Sequence, residues 1–319
     1  MSAKSASCRQ IEAELVATAA REARPEAARR VDEHVRHCAP CREELQRYGA
    51  IEQAMGALRR TPPAPAAEAR TSLVARLADL RSRLVAYGIF PSPLGRLLIA
   101  RSEHGVSLIE YLDEGAGLPA SRLGRAEIET KEDGAGIEAL YRDVLDYIEG
   151  RRTRLDWRLD FRLASSEFHR RVLDAAATIP YGAVTSYAHL AREIGQPSAV
   201  RAVAQALRAN PLPIVVPCHR IVGSDATLVG YAGDKIPLKQ RLLDIEGVPT
   251  AQALRDLRVA REAMYAYRHG DTEYCLPTCG SISRRTLAEY TLFASRAGAE
   301  AAGFTPCTSC RPDLHPLSR

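Results

Sequence analysis

The apolar positions change period along the chain, and each change predicts a different kind of element. In residues 8–60, Ile11, Leu15 and Thr18 share one helical face and Ala28, Val31 and Val35 share another, which predicts short helices. TPPAPAAEA, Thr61 to Ala69, carries three prolines; such a segment breaks helices and marks an interdomain linker, placed over residues 61–83. From Leu84 the runs LVAYGIF, RLLIARSE and GVSLIEYLD, separated by Gly, Pro and polar turns, predict an antiparallel meander. A helical period returns over residues 137–150 and stops at Gly150. Residues 168–179, 186–194, 198–209 and 238–246 read as further helices, with a short apolar strand leading into Cys218. Residues 251–265 read as a helical connector, and residues 266–319 as a small block with few large apolar side chains.

Composition narrows the class. The 319 residues suit two or three domains, and 46% hydrophobic with 26% charged residues excludes wholesale disorder and a membrane-embedded chain. No apolar run approaches the roughly 18 residues of a membrane span. The N-terminus lacks an apolar signal region, so a cytoplasmic protein is expected. Disulfides are disfavoured there, which leaves the eight cysteines as metal ligands or nucleophiles. The net charge of +5 permits nucleic acid as a partner without requiring it.

Cys218 stands in VPCHRIV, far in sequence from any other cysteine. Upstream, SYAHLAREIGQPSAVRAVAQALRANPLPIVVPCHRIV reads as helix, turn, helix and an Asn-Pro break. A helix-turn-helix delivers one helix to a DNA groove. Here that helix carries Ala199, Ala202, Ala204 and Ala206, small residues that permit close approach.

Residues 84–250 resemble the O6-alkylguanine-DNA alkyltransferases. The resemblance rests on IPYGAVTSYAHLA, on RAVAQALRANPLPIVVPCHRIV, and on GYAG and LLDIEG in family order; Ile221 stands where the family often has Val. It implies a core made of a small antiparallel sheet subdomain and a helical helix-turn-helix subdomain. It also implies that Cys218 takes the alkyl group from O6 of guanine, or O4 of thymine, with His219 as base through a water and Glu246 orienting the imidazole. Tyr187 matches the tyrosine that protonates the departing guanine, and Asn210 the residue bracing the active-site turn. Arg201 matches the arginine that fills the stack after base flipping; Ala202 and Arg220 are expected at the DNA. The thioether has no route back to thiol, so the enzyme would turn over once.

Cys275 and Cys279 (CxxxC) and Cys307 and Cys310 (CxxC) are two close pairs, the arrangement a tetrahedral four-thiolate zinc site requires. YCLPTCGSISRR and AEAAGFTPCTSCRPD resemble the zinc domain of the bacterial adaptive-response (Ada) proteins. That resemblance implies that Cys275 also accepts methyl groups, from backbone phosphotriesters; between Cys279 and Phe293 the sequence departs from the family's Arg-rich and Asn-containing stretch, although Arg284 and Arg285 could still meet phosphate. The order departs from that family, which puts this domain first and follows it with a regulatory helix-turn-helix not found here.

His34, Cys38 and Cys41 form HxxxCxxC, and Cys8 completes a second set of zinc ligands, with His37 a solvated neighbour. Residues 1–60 resemble the zinc-binding anti-sigma fold, which implies a sigma factor or other protein as partner; a thiol-oxidation sensor releasing zinc and a stable helical adaptor are the alternatives. The chain is thus expected to be an α+β multidomain protein. An alkyltransferase core is flanked by a helical zinc finger and a four-cysteine zinc domain, with two zinc ions, no organic cofactor, double-stranded alkylated DNA as partner and no membrane. The alternative is an alkylation-damage sensor acting through its zinc modules. A thiol hydrolase using the Cys-His-Glu trio would need multiple turnovers and fits a DNA-binding context poorly.

Overall fold

The computed structural model describes residues 6–60, 66–125, 128–253, 256–282 and 286–317. They form two compact units, Met1–Leu77 and Ala78–Arg319. No described helix is long and apolar enough to cross a membrane.

The first unit is helical: α1 (Ala6–Ala19), α2 (Pro25–His37), α3 (Ala39–Arg60) and the start of α4 (Ala66–Arg83). Its core is small, with Leu15 and Val31 fully buried beside Cys8 and Cys41. The linker expected over residues 61–83 is therefore helical from Ala66; residues 61–65, which hold all three prolines, lie outside the described residues. Ala66–Arg83 is rich in Ala, Leu and Arg, strong helix formers that resume a helix once the prolines are passed.

The second unit opens with a four-stranded sheet, β1 (Leu84–Phe90), β2 (Arg96–Ser102), β3 (Gly105–Leu112) and, beyond the short α5 (Arg122–Arg125), β4 (Glu129–Glu132), in the order β3-β2-β1-β4. The meander runs antiparallel as expected, but β4 pairs parallel to β1, so the sheet is mixed. The polar ETKE segment gives no apolar signal; it becomes a strand only by pairing along β1. α6 (Gly134–Ile148) follows, with the Asp133 carboxylate capping Gly136 N.

The helical half comprises α7 (Glu167–Ala177), β5 (Ala183–Ser186), α8 (Tyr187–Glu193), α9 (Val200–Arg208), β6 (Ile221–Val222) and α10 (Ile236–Ile245). Ser166 and Ser186 cap α7 and α8 with their hydroxyls. The strand expected before Cys218 is instead a turn: Val216 N donates to Leu212 O, and Ile214 has φ 76°. A β-branched residue rarely adopts that left-handed conformation, and local strain of this kind is characteristic of functional turns. The strand comes after the thiol, as β6.

Among the described residues of 251–265 the expected helix is replaced by strands and a single 3-10 turn, Arg261–Ala263. Here β7 (Thr250–Ala253) and β8 (Asp256–Val259) form a hairpin. Leu228 N donates to Leu257 O and Val259 N to Ala226 O, so pairing with a distant loop decides the conformation. Beyond it, β9 (Tyr265–Arg268), β10 (Glu273–Cys275), β11 (Tyr290–Phe293), α11 (Arg296–Ala301) and β12 (Thr305–Pro306) complete the chain. The last block does not stand apart. Its strands join β5 and β6 in one six-stranded sheet, ordered β12-β10-β9-β11-β5-β6.

Candidate active site and metal centres

Cys218 begins a short 3-10 turn, Cys218–Arg220, between α9 and β6, and is 5% exposed. Asn210, buried just after α9, holds this turn: its Nδ2 donates to Val216 O (2.9 Å) and to Cys218 Sγ (3.2 Å), and its Oδ1 accepts from Leu212 N. Burial raises the pKa of Cys218, while the Asn210 donor and the nearby Lys239 and Arg122 cations pull it back. The thiol therefore depends on a base to react as thiolate.

A candidate base is adjacent in sequence. His219 is fully buried, and its Nε2 lies 2.5 Å from Glu246 Oε1. Burial lowers the pKa of His219, so the imidazole is neutral at neutral pH. With Nε2–H given to Glu246, Nδ1 is the acceptor nitrogen; it has no hydrogen-bond partner among the described residues. Burial alone would raise the pKa of Glu246, but His219 and Arg220 outweigh it and hold the carboxyl below its ordinary value.

Arg220 departs from expectation. It is 6% exposed; its Nε donates to Glu246 Oε2 (2.9 Å) and its Nη1 to Ile179 O (2.5 Å), so the guanidinium has no donor face for DNA. A buried carboxylate needs a paired cation and satisfied lone pairs, and Arg220 supplies both. Tyr147 OH also donates to Glu246 Oε1, and Gly182 N donates to Oε2 (2.9 Å). Sequence reasoning missed Tyr147. Its signal was a lone hydroxyl on the buried stripe of α6, among Ile137, Val144 and Ile148, where a tyrosine must find a partner.

Tyr187 starts α8, and its OH donates to Val229 O (3.0 Å); burial raises its pKa, so it keeps its proton. Lys239, also missed, is fully buried in α10: Nζ donates to Ile221 O (2.5 Å) and Val229 O (2.9 Å), and burial brings its pKa down to about 7. It thereby clamps the strand after the thiol to the loop that receives Tyr187. A mainly apolar cavity of about 260 Å³ lined by Tyr187, Val200, Arg201, Ala204, Cys218 and Gly230 gives access to the thiol. Arg201 and Ala202 are exposed on α9, opposite the buried Val203, Ala206 and Leu207.

Both cysteine clusters converge. Donor atoms of Cys8, His34, Cys38 and Cys41, and separately of Cys275, Cys279, Cys307 and Cys310, lie within 4.8 Å of one another. In the first, the buried His34 Nε2 has no hydrogen-bond partner among the described residues, and Cys8 Sγ is 3.8 Å from Cys38 Sγ. A buried imidazole nitrogen aimed at thiols suits a divalent soft cation. The second set is four sulfurs, three of them buried, the donor chemistry of structural zinc. Cys275 itself is 7% exposed. Arg284 and Arg285 lie outside the described residues.

A buried thiol in a turn after α9, next in sequence to an imidazole held by a carboxylate, is the arrangement of a nucleophilic-thiol protein. Comparison with known proteins names the class. Residues 167–248 match the 6-O-methylguanine DNA methyltransferase DNA-binding domain, and residues 250–313 the metal-binding domain of Ada. The methylated-DNA--protein-cysteine methyltransferase of Methanosarcina acetivorans is 34% identical over 163 residues, 50% of this chain and 97% of that protein. The bifunctional transcriptional activator/DNA repair enzyme Ada of Escherichia coli is 40% identical over 151 residues, 46% of this chain and 41% of that protein. The crystal structure of Mycobacterium tuberculosis O6-methylguanine methyltransferase covers 51% of this chain and 92% of its own, with 34% identity and a TM-score of 0.44. The chain belongs to the methylated-DNA--protein-cysteine methyltransferase family.

Proposed function

We propose that this protein repairs DNA by moving the alkyl group of O6-alkylguanine irreversibly onto Cys218. The observation that carries the reading is a thiol that lines an apolar cavity together with the exposed Arg201 and is backed by the buried Asn210–Cys218 and His219–Glu246 pairings. The target oxygen lies within a base stack, so the base must rotate out; Arg201 on α9 fills the gap and the cavity takes the base. His219 accepts the thiol proton through a bridging water, and Glu246 stabilises the resulting imidazolium. Sγ attacks the alkyl carbon in line, the C–S bond forms as the C–O6 bond breaks, and the guanine leaves. Tyr187, still protonated when the base arrives, gives its hydroxyl proton to the departing guanine and regains one from solvent, while the His219 imidazolium returns the thiol proton to solvent. The product is a thioether and an unmodified guanine.

Cys8, His34, Cys38 and Cys41 would hold one zinc ion, and Cys275, Cys279, Cys307 and Cys310 a second. When bound, zinc keeps its sulfurs as thiolates at neutral pH. Cys275 is the residue proposed to accept a methyl group from a phosphotriester. The domain division that goes with this reading is a zinc-held helical module over residues 1–60, the alkyltransferase over 84–250 and a zinc module over 266–319, whose core continues into the alkyltransferase sheet.

The test is intact-mass and peptide analysis after exposure to duplex DNA carrying O6-methylguanine, then to DNA carrying methylphosphotriesters. One methyl on Cys218 from the first substrate is expected, and a protein left unmodified by it rejects the reading. A second adduct on Cys275, from the second substrate alone, separates dual repair from guanine repair. The sensor reading draws on one observation: Ile51, Met55 and Leu58 of α3 and Leu73, Val74 and Leu77 of α4 are exposed apolar residues, of the kind that meet a protein partner such as a sigma factor. It requires that alkylation change the affinity of the protein for that partner.

A further inference from the structure

The six-stranded sheet joins the four-cysteine cluster to the acceptor site. Residue pairing runs Cys275–Ala266–Leu292–Val184 from β10 through β9 and β11 to β5. β5 then pairs with β6, Thr185 with Ile221, three residues beyond Cys218. Side chains alternate across a sheet. Val184, Val222, Leu292, Ala266 and Cys275 accordingly share one core with Cys279 and Cys307, while Ala183, Ile221, Phe293, Tyr265 and Tyr274 share the core of Cys218. The metal ligands and the acceptor thiol lie on opposite faces of one wall.

That wall is weak without its outer strands. β5 has four residues and β6 two, too short to stand alone as a sheet. β11 covers the other edge of β5, and Ala294 N donates to Gly182 O (2.8 Å). The same Gly182 donates its own N–H to Glu246 Oε2 (2.9 Å). Gly182 has φ +70°, and a Cβ there would meet Glu246 O at 3.2 Å, so the position calls for glycine. One residue therefore links the end of β11 to the carboxylate that holds His219. Two further contacts fasten the same junction: Arg192 Nη1 donates to Ala288 O (2.8 Å), and the His189 and His269 rings stack at 3.3 Å.

We propose that the C-terminal module is a positioning element for the acceptor site: metal held by Cys275, Cys279, Cys307 and Cys310 orders β9 to β12, β11 orders β5 and Gly182, and Gly182 orients Glu246 behind His219. The inference rests on Cys218 being the acceptor. The same packing link also lets an alkyl group held around the buried Cys218 alter how firmly the cluster retains its metal.

The experiment uses the full zinc-loaded chain with two variants. Cys310→Ser removes the least buried ligand, and Ala294→Pro removes the N–H given to Gly182 while leaving all four thiols in place. The pH profile of Cys218 alkylation by an O6-methylguanine duplex is measured together with amide hydrogen exchange. Both variants are expected to slow transfer by about tenfold, the scale of one lost hydrogen bond to a charged group, and to shift the limb of the profile set by His219. Exchange should rise in 183–186 and 221–222 as well as in β9 to β12. Zinc release to a chromophoric chelator should be faster after Cys218 is methylated. If Cys310→Ser frees only β9 to β12 and leaves both the profile and the release rate unchanged, the coupling is overturned while Cys218 stands as acceptor. If wild-type protein gains no methyl on Cys218, both readings fall. Should Cys310→Ser not fold, Ala294→Pro and the zinc-release comparison still decide.

Discussion

Nδ2 of Asn210 lies 3.2 Å from Sγ of Cys218 and 2.9 Å from the carbonyl of Val216, so one amide both braces the turn and donates to the nucleophile. Asn210→Ala strips the thiolate of its nearest donor and takes the acceptor from the buried Leu212 N–H, which costs about 1–3 kcal/mol of stability. The transfer rate should fall by roughly tenfold or more, and its rise with pH should move to higher pH. Stopped-flow alkylation across pH 6–9, alongside urea denaturation, checks both.

Glu246→Gln keeps the shape but leaves Arg220 buried without its counter-charge. Breaking a buried pair in this way costs about 3–5 kcal/mol. The sign with pH follows from the lowered pKa of Glu246: its contribution is fully present above the ordinary carboxyl value and is lost as pH falls through the lower folded one. His219, buried neutral with a lowered pKa, adds to the same acid lability below its ordinary value of 6.5. The melting temperature of wild-type protein should therefore drop steadily in acid. The variant should start lower and show a flatter acid limb, read by calorimetry.

Arg201→Ala should weaken binding to duplex DNA and slow repair of a base-paired lesion. The slope of log affinity against log salt should shrink by about one if the side chain meets a phosphate, and stay constant if it acts only within the stack. Fluorescence anisotropy over a salt series separates the two.

His34→Ala should lower the bound zinc by one ion per chain and unfold the N-terminal helices, since the unit has only a small apolar core around Leu15 and Val31. Metal analysis and far-ultraviolet circular dichroism measure it. Retention of both zinc ions would remove His34 from the ligand set.

Much was legible in the linear order of residues. The helices carry their own start signals, as Ser166 and Ser186 do for α7 and α8, and an apolar period that local physics suffices to read. The candidate chemistry was legible because each cysteine group is local: two ligands three or four residues apart define an edge of a site before any fold exists.

What the sequence by itself determined, then, is the helical register, both sets of metal ligands and the single unpaired thiol with its imidazole neighbour. Only the tertiary structure decided the rest. It buried Arg220 on Glu246, and within the helix expected over residues 251–265 it made β7 and β8 instead, paired with each other and with residues 226–228. It also merged the last block with the alkyltransferase in one sheet. The physical reason is common to all three. A buried charge and a strand edge must each find a partner, and here the partners lie tens of residues away, where no local pattern records them.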